Sequence, residues 1–480
     1  MSIDSSRPST LNGNLNSALN NALNGDLHSA LASTLPDAIH RLRDRLRPGQ
    51  QRMADWAGGT LAVSAVPGSG KSTGMAIAAA ILLARRYLHQ QAGRESLPDS
   101  ALPSAAPASN LILVTFTRSA AANLKLKIRQ ALAELSLAPQ GFAVYTLHGL
   151  ALTIASRYPE LSGLSLDRMT LVTATQSSRL LRTCVEQWIS ANPTLYFRLL
   201  EGAQFDGEET ERLRRQSVLR TEVLPDLAYT VIHEAKSSGL TPADLRALGQ
   251  SARAIATTTS GDYTGDYAGN YIDDYNVLTI AAGLYESYQA LLSQRSFIDY
   301  DDMILAALRV LDDATARALF QGQVYAVFED EAQDSSPLQT RLLELLATTT
   351  DQPKQPLNLV RVGDPNQAIN STFTPADPVF FRQFCQTCQA QGQLAEMDQA
   401  GRSTAAVMEV ANAMLLWVNQ RYGAIAPRSS PDTQALEAPF RSQRIQPVAA
   451  SDPQPDANPV AIGAGVEIRY PPDIFREAEM

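Results

Sequence analysis

The chain has little of what builds disulfide-stapled or membrane-embedded proteins. Three cysteines in 480 residues, Cys184, Cys385 and Cys388, do not make a disulfide framework. They also fall one short of a four-cysteine zinc or iron–sulfur site. Cys385-x-x-Cys388 follows a helical stretch, Phe380-Phe381-Arg382-Gln383-Phe384. It lacks the βαβ surroundings of a redox pair, so it reads as two cysteines on one helix face. The longest apolar run, Met75–Ala84, is too short to span a bilayer. The N-terminus lacks a basic segment followed by an apolar core, so no secretion signal is visible and a cytoplasmic location is expected. Basic charge is in deficit: 40 Lys and Arg against 49 Asp and Glu leave a net charge of −9. That balance excludes a histone-like, DNA-coating protein but leaves room for a local basic groove. An apolar content of 45% suffices for large cores, and the length suggests about three domains.

What is present centres on Leu61–Ser72. An apolar run from Leu61 to Val63 predicts a buried strand, a Gly-rich turn follows, and Ser72–Arg86 predicts a helix. Ala65-x-x-x-x-Gly70-Lys71-Ser72 is a phosphate-binding loop with Ala at the first Gly position. Gly68 and Gly70 let backbone N–H groups turn inward around phosphate oxygens. The helix N-terminus behind the loop adds partial positive charge. Lys71 has the reach for the outer phosphates, and the Ser72 hydroxyl suits Mg²⁺.

Upstream, residues 1–36 are low in complexity. Leucines recur every fourth residue from Leu11 to Leu35 among Asn, Gly, Ser and Ala. That period drifts about 40° per step around a helix, so no single face forms and a disordered tail is expected. Asp37–Arg47 predicts a helix leading to Gln50, whose amide could read the donor–acceptor pair of an adenine edge. Gln90–Asn110 reads as a surface loop. Leu111–Val114 predicts a strand ending in Thr115-Phe116-Thr117, then a helix over Asn123–Leu135 with Lys125, Lys127 and Arg129 on a solvated face. Phe142–Thr146 predicts another strand, ending in Thr146-Leu147-His148.

From Leu150 to about Arg295 the pattern is mainly helical. It is broken near 257–275, where Tyr263, Tyr267, Tyr271 and Tyr275 alternate with Asp and Gly. The company is acidic, so an acidic disordered loop fits better than a base-stacking platform. Phe297–Met303 opens a further helix. Val324–Phe328 predicts a strand whose end carries Glu329-Asp330-Glu331-Ala332-Gln333-Asp334. Such carboxylates suit one role on Mg²⁺ and another on water. Leu357–Val362 predicts a strand ending in Gly363-Asp364-Pro365-Asn366-Gln367, and Thr404–Tyr422 a helix after Gly401-Arg402-Ser403. Residues 426–460 read as a long loop. Val466–Arg469 suggests a strand and Asp473–Met480 the start of a helix.

These polar stations, in this order, resemble the UvrD/Rep/PcrA family of superfamily-one DNA helicases. Asp330-Glu331-Ala332-Gln333-Asp334 downstream of a phosphate-binding loop is the specific part. The resemblance covers about 44–150 and 295–405. It implies an α/β fold: a RecA-like P-loop parallel sheet with a helical inserted subdomain and the start of a second RecA-like domain. The expected organisation is a disordered tail (1–40), the first part of a RecA-like ATP-binding domain (41–150) and a helical insert (151–295). The second part of that domain (296–390) and an incomplete second RecA-like domain (391–480) follow.

The resemblance also implies roles. Gln50, Ala65, Val66, Pro67, Gly68, Ser69, Gly70, Lys71 and Ser72 would bind ATP, with Ser72 and Asp330 on Mg²⁺. Glu331 would be the general base, Gln367 would sense the γ-phosphate and Arg402 would contact it. Thr115, Phe116, Thr146, His148 and Phe373 would line a track for single-stranded DNA.

Departures from the family pattern carry expectations of their own. Gly401 replaces a Tyr, which removes one stacking partner of the adenine. Phe373 supplies the base-stacking ring with a one-residue shift. Glu329 stands where an apolar residue is usual, so it needs a partner or a place at the strand's end. The family's late Gly-Leu-Glu and Thr-Arg motifs do not occur before Met480, which suggests a truncated or split helicase with a second chain supplying them. Two readings follow: an ATP-hydrolysing DNA helicase or translocase motor, in DNA repair or recombination, or a nucleotide- and DNA-binding module that does not unwind by itself.

Overall fold

A computed structural model describes residues 33–95, 109–164, 169–193, 214, 217–259, 268–348, 357–367, 377–425, 438–452 and 457–463. The leucine-rich tail before residue 33, Phe373 and the elements expected over 466–480 lie outside the described residues.

Six strands form one parallel sheet. β1 is Thr60–Ala65, β2 Asn110–Thr115, β3 Phe142–Thr146, β6 Val324–Asp330, β7 Leu359–Gly363 and β8 Leu394–Met397. The order across the sheet is β3-β2-β6-β7-β1-β8. The central strands are near-continuous apolar runs because helices cover both faces. The period-two alternation assigns their side chains: Leu111 and Leu113 face one helical layer, Ile112 and Val114 the other. The first layer brings Ile39, Met53, Ile81 and Ile128 against Val63, Phe328 and Val360. The second brings Ile154, Ile304 and Leu342 against Val327 and Leu359.

β1 lies between β7 and β8, not beside β2. The crossover helix Lys71–Glu95 therefore passes over β7 and β6 to reach β2. Strand order changes direction at β1, and the crevice outside the carboxyl ends there is where such sheets bind ligands.

The helical insert leaves and rejoins this domain through a two-residue parallel pair, β4 (Thr170–Leu171) and β5 (Phe297–Ile298). Its core is Leu181, Cys184, Trp188, Ile232, Tyr285 and Tyr288. A buried ion triad stitches it to the helix that follows β5. Lys236, 0% exposed, donates to Asp299 at 2.6 Å and Asp302 at 2.8 Å. Asp299 is also the N-cap of the helix Tyr300–Asp312. Burial alone would lower the Lys236 pKa; the two carboxylates more than offset it and hold it above the ordinary value.

Three expected boundaries are corrected. Strand β8, Leu394–Met397, belongs to the first sheet, not to a second domain beginning at 391: it pairs with β1 and buries Ala395 and Met397. The expected loop over 257–275 is entered by helix from both sides, Pro242–Thr259 and Ala268–Gln294. The second of these is anchored by Ile280, Leu284, Tyr288 and Leu292, an i, i+4, i+8, i+12 stripe that turns helix formation cooperative. The tail expected over 1–40 becomes helix from residue 33, where Leu35 is 1% exposed in the sheet-facing core.

Glu329 finds its partner within the core. It accepts from Arg361 Nε on the neighbouring strand and from Ser335 Oγ, each at 2.5 Å. Cys385 and Cys388 are free and buried with Phe381 on one helix face, packed against Leu394 of β8. Residues 438–452 run back over the carboxyl end of the sheet, where Gln443 bonds Ser64, and Gln446–Pro447 (β10) pairs with Gln399–Ala400 (β9). No helix among the described residues is long and apolar enough to cross a membrane.

Candidate functional site

The turn after β1 is held from below and from both sides. Val66 N donates to Met397 O of β8, and Gly74 N to Gly70 O closes the first turn of the helix behind it. Gly68 and Gly70 have φ of +79° and +82°, a left-handed region that L side chains rarely adopt. A Cβ would meet Arg402 Cβ at 2.9 Å in the first case and Gln50 Nε2 at 2.9 Å in the second.

Gln50 is buried beneath this loop. Its Nε2 donates to Ser69 O and Gly70 O at 3.1 and 3.2 Å, and its Oε1 accepts from Arg47 N. The amide is thereby engaged by loop carbonyls and a helix cap, and it braces the turn. Arg47 sits alongside, paired with Asp452 at 2.7 Å, with its Nη2 in the space beside Gly401 that a side chain there would fill.

The charged centre comes from two strand ends. Lys71 Nζ donates to Glu331 Oε2 at 2.6 Å, and Ser72 Oγ to Asp330 Oδ2 at 3.2 Å. Gln333 Nε2 also donates to Glu331 Oε2 at 3.0 Å, while Gln333 Oε1 accepts from Asp364 N after β7. Glu331 itself is left-handed, with φ of +56° and ψ of 44°. A non-glycine residue held there stores strain, and such strain clusters at functional sites. Burial and the neighbouring Glu331 charge push the Asp330 carboxyl up to about 6, against the pull of Lys71 and Ser72. Burial would also raise Glu331, but Lys71 and Gln333 outweigh it and hold the group below its ordinary value. Two carboxylates side by side are thus separated in pKa by their partners.

Gln367 stands on the turn after β7, its N–H bonded to Asp364 O. Arg402 is exposed over the loop, where Gly401 N donates to Gly68 O at 3.2 Å. The segment that bears Arg402 therefore closes directly onto the phosphate-binding turn.

The expected DNA-facing residues divide. Phe116 is 42% exposed and Thr117–Ser119 are exposed beside it. Thr115 is 2% exposed, so its side chain cannot line an outer track; it is the last residue of β2, buried like the four before it. Thr146 Oγ1 caps the helix Leu147–Arg157 by accepting from Gly149 N. His148 packs its ring edge on Tyr300 at 4.8 Å between centroids, and burial lowers its pKa. Tyr300 is 52% exposed. Sequence reasoning passed over Tyr300, although an aromatic inside the Phe297–Met303 signature was the signal. It also passed over Arg47 and Gln333. The Arg47–Asp452 pair is 405 residues apart in sequence and left no local signal.

A parallel sheet with a phosphate-binding loop at its switch point and an acidic pair on a neighbouring strand end defines a RecA-like P-loop NTPase core. The family model described as UvrD/REP helicase N-terminal domain matches residues 46–389. The chain belongs to that family.

Among curated proteins it is 33% identical over 108 residues to a subunit of an ATP-dependent helicase/nuclease of Latilactobacillus sakei, covering 22% of this chain and 12% of that protein. It is 29% identical over 175 residues to the ATP-dependent DNA helicase UvrD2 of Mycobacterium bovis, covering 35% of this chain and 24% of that one. It is 33% identical over 133 residues to the corresponding helicase/nuclease protein of Streptococcus equi subsp. zooepidemicus, covering 27% and 10%. The matched regions span a quarter or less of these relatives' lengths.

Proposed function

We propose that this chain is the ATP-binding motor part of a DNA helicase or translocase, hydrolysing ATP with Mg²⁺ and contacting single-stranded DNA. The observation that carries the reading is the convergence of Lys71 and Ser72 on Glu331 and Asp330 at 2.6 and 3.2 Å. A hydroxyl and a carboxylate are hard oxygen donors of the kind Mg²⁺ takes alongside phosphate and water, so Ser72 and Asp330 fit that ion. When bound, it would neutralise charge growing on the β- and γ-phosphate oxygens.

The residues then divide the work. Backbone N–H groups of Gly68–Lys71 cradle phosphate oxygens. Lys71 exchanges its contact with Glu331 for the outer phosphates, which frees Glu331 Oε2. Glu331 takes a proton from water as the water oxygen bonds to the γ-phosphorus and the bond to the bridging oxygen breaks, leaving ADP. Gln367 and Arg402 attend the γ-phosphate from the turn after β7 and from the segment over Gly68. Phe116, Thr146, His148 and Tyr300 form the DNA-facing rim, where exposed rings offer stacking surfaces to bases. A role in DNA repair or recombination and a cytoplasmic location are part of the same proposal.

A second reading is a nucleotide-gated module that acts with another chain. It is favoured by the helix Ala405–Ile425, where Val407, Val410, Met414 and Trp417 are exposed at heptad spacing. Steady-state ATP hydrolysis, with and without single-stranded DNA, tests the choice. DNA-stimulated turnover abolished by Lys71→Ala and by Glu331→Gln supports the motor. ATP binding without turnover refutes it in favour of the module.

A further inference from the structure

The solvated basic face expected on the helix Arg118–Glu134 is broken at one position. Lys125 and Arg129 are exposed, but Lys127 is half-buried. Its Nζ donates to Thr73 Oγ1 at 2.9 Å. Thr73 is two residues after Lys71, in the first turn of the helix Lys71–Glu95. Lys127 makes no ion pair among the described residues.

The first turn of a helix is an unfavourable place for a cation that no anion answers. Its partial positive charge attracts anions and repels a second positive group. The N–H groups of Lys71, Ser72 and Thr73 also have no acceptor among the described residues. Backbone bonding begins with Gly74 N to Gly70 O, and Ser69 O is taken by Gln50 Nε2. The nearby carboxylates are engaged: Glu331 with Lys71 and Gln333, Asp330 with Ser72 and the Glu331 N–H. Thr73 Oγ1 accepts from Lys127 and keeps its own proton to donate. Ammonium, hydroxyl and first-turn N–H groups are all donors, and one anion satisfies them together. The bonds of Thr73 put the Lys127 ammonium no more than about 7 Å from the Thr73 N–H. A phosphate group accepting two bonds of about 2.8 Å on different oxygens spans that gap.

We propose that Lys127 is a second phosphate-binding cation of this site, serving the inner phosphates of the nucleotide while Lys71 serves the outer ones. The inference rests on the nucleotide-binding reading, in its motor and its module form alike, and does not depend on turnover. Lys71 and Ser72 face the acidic end of β6. Thr73 stands about 100° farther round the helix than Ser72. Lys127 therefore reaches the phosphate chain away from that acidic end, on the side toward the nucleoside. No local pattern distinguished Lys127 from Lys125 and Arg129 in the sequence; the packing of Arg118–Glu134 against Lys71–Glu95 does.

The test is calorimetric titration of the full chain with ADP, ATP and inorganic pyrophosphate, each with Mg²⁺. Lys127→Met removes the charge and keeps the stem, and Lys127→Gln repeats the measurement should the methionine variant not fold. Lys127→Arg keeps the charge, and Lys125→Met removes an exposed charge from the same helix. The Kd for all three ligands should rise about tenfold in Lys127→Met, as for one hydrogen bond between charged groups. Lys127→Arg should return it toward the value of the unaltered chain, and Lys125→Met should leave it unchanged. A merely structural Lys127 would lower the urea midpoint of the free protein and leave the Kd unmoved, and that result overturns the proposal. So does a loss confined to ATP, a loss for ADP that pyrophosphate does not share, or an equal loss in Lys125→Met. An unaltered chain that binds ADP without turning over ATP refutes the motor reading alone; one that binds none of the three ligands overturns this proposal together with both readings.

Discussion

Replacing Lys236 by Met removes a cation that the buried Asp299 and the half-buried Asp302 share. Methionine keeps the aliphatic stem beside the Tyr288 ring, 5.3 Å from the ammonium, so packing changes little and charge changes fully. Breaking a buried ion pair costs about 3–5 kcal/mol because a charge is left without a partner. The Asp302 side chain keeps 16% of its surface exposed, and water reaching it places the loss near the lower end, about 3 kcal/mol.

The loss should depend on pH in a defined direction. Burial already holds the Asp302 carboxyl above its ordinary value, against the pull of Lys236. Without the ammonium its folded pKa rises further. A carboxyl whose folded pKa exceeds its unfolded one binds more protons when folded between the two values. The deficit of the variant is therefore full above the raised folded pKa of the stranded carboxyl and shrinks as the pH falls through it toward the unfolded value. Urea unfolding followed through Trp188, which lies in the core of the insert, measures both. Adding Asp299→Asn and Asp302→Asn removes the stranded charges while Asn keeps the N-cap, so most of the loss should return. A loss below about 1 kcal/mol, or a triple variant no more stable than the single one, would refute the reasoning.

Glu329→Leu should cost about 3 kcal/mol by stranding Arg361, and Glu329→Leu with Arg361→Met should recover most of it in the same urea assay. Ser336→Ala breaks the reciprocal cap with Gln339 that starts the helix Pro337–Ala347 and should lower stability by about 1 kcal/mol, read by calorimetry. Burial pushes the Cys184 and Cys385 thiols up to about 11 and about 12 and raises Cys388. Iodoacetamide at neutral pH should leave all three unlabelled in the native chain and label all three in urea. Phe116→Ala should weaken single-stranded DNA binding about tenfold by fluorescence anisotropy, in line with one lost stacking contact.

Much of the site was legible because its signals are local. Strand, Gly-rich turn, Lys71 and helix lie within a dozen residues, and Asp330-Glu331 follows an apolar run directly. The requirement that Glu329 find a partner was also legible, since burying a charge alone is prohibitive. Its partner was not, because Arg361 lies on another strand and only the pairing of β6 with β7 brings the two together.

The same distinction separates the remaining outcomes. Gln50 was visible as an amide close to the loop in sequence. That it spends its hydrogen bonds on Ser69 O and Gly70 O follows from the packing of the helix Pro48–Ala54 beneath the turn. Thr115 was one letter in a strand-end motif. Its burial follows from helices that cover both faces of the sheet, which leave every residue from Leu111 to Thr115 enclosed. By itself the sequence determined the chemistry available at each strand end, because residue type and the nearest neighbours decide that. Only the tertiary structure decided which ends converge, that Leu394–Met397 completes the first sheet, and that Asp452 returns to Arg47. Strand order and long-range ion pairs are set by burial shared among distant segments, which no local pattern encodes.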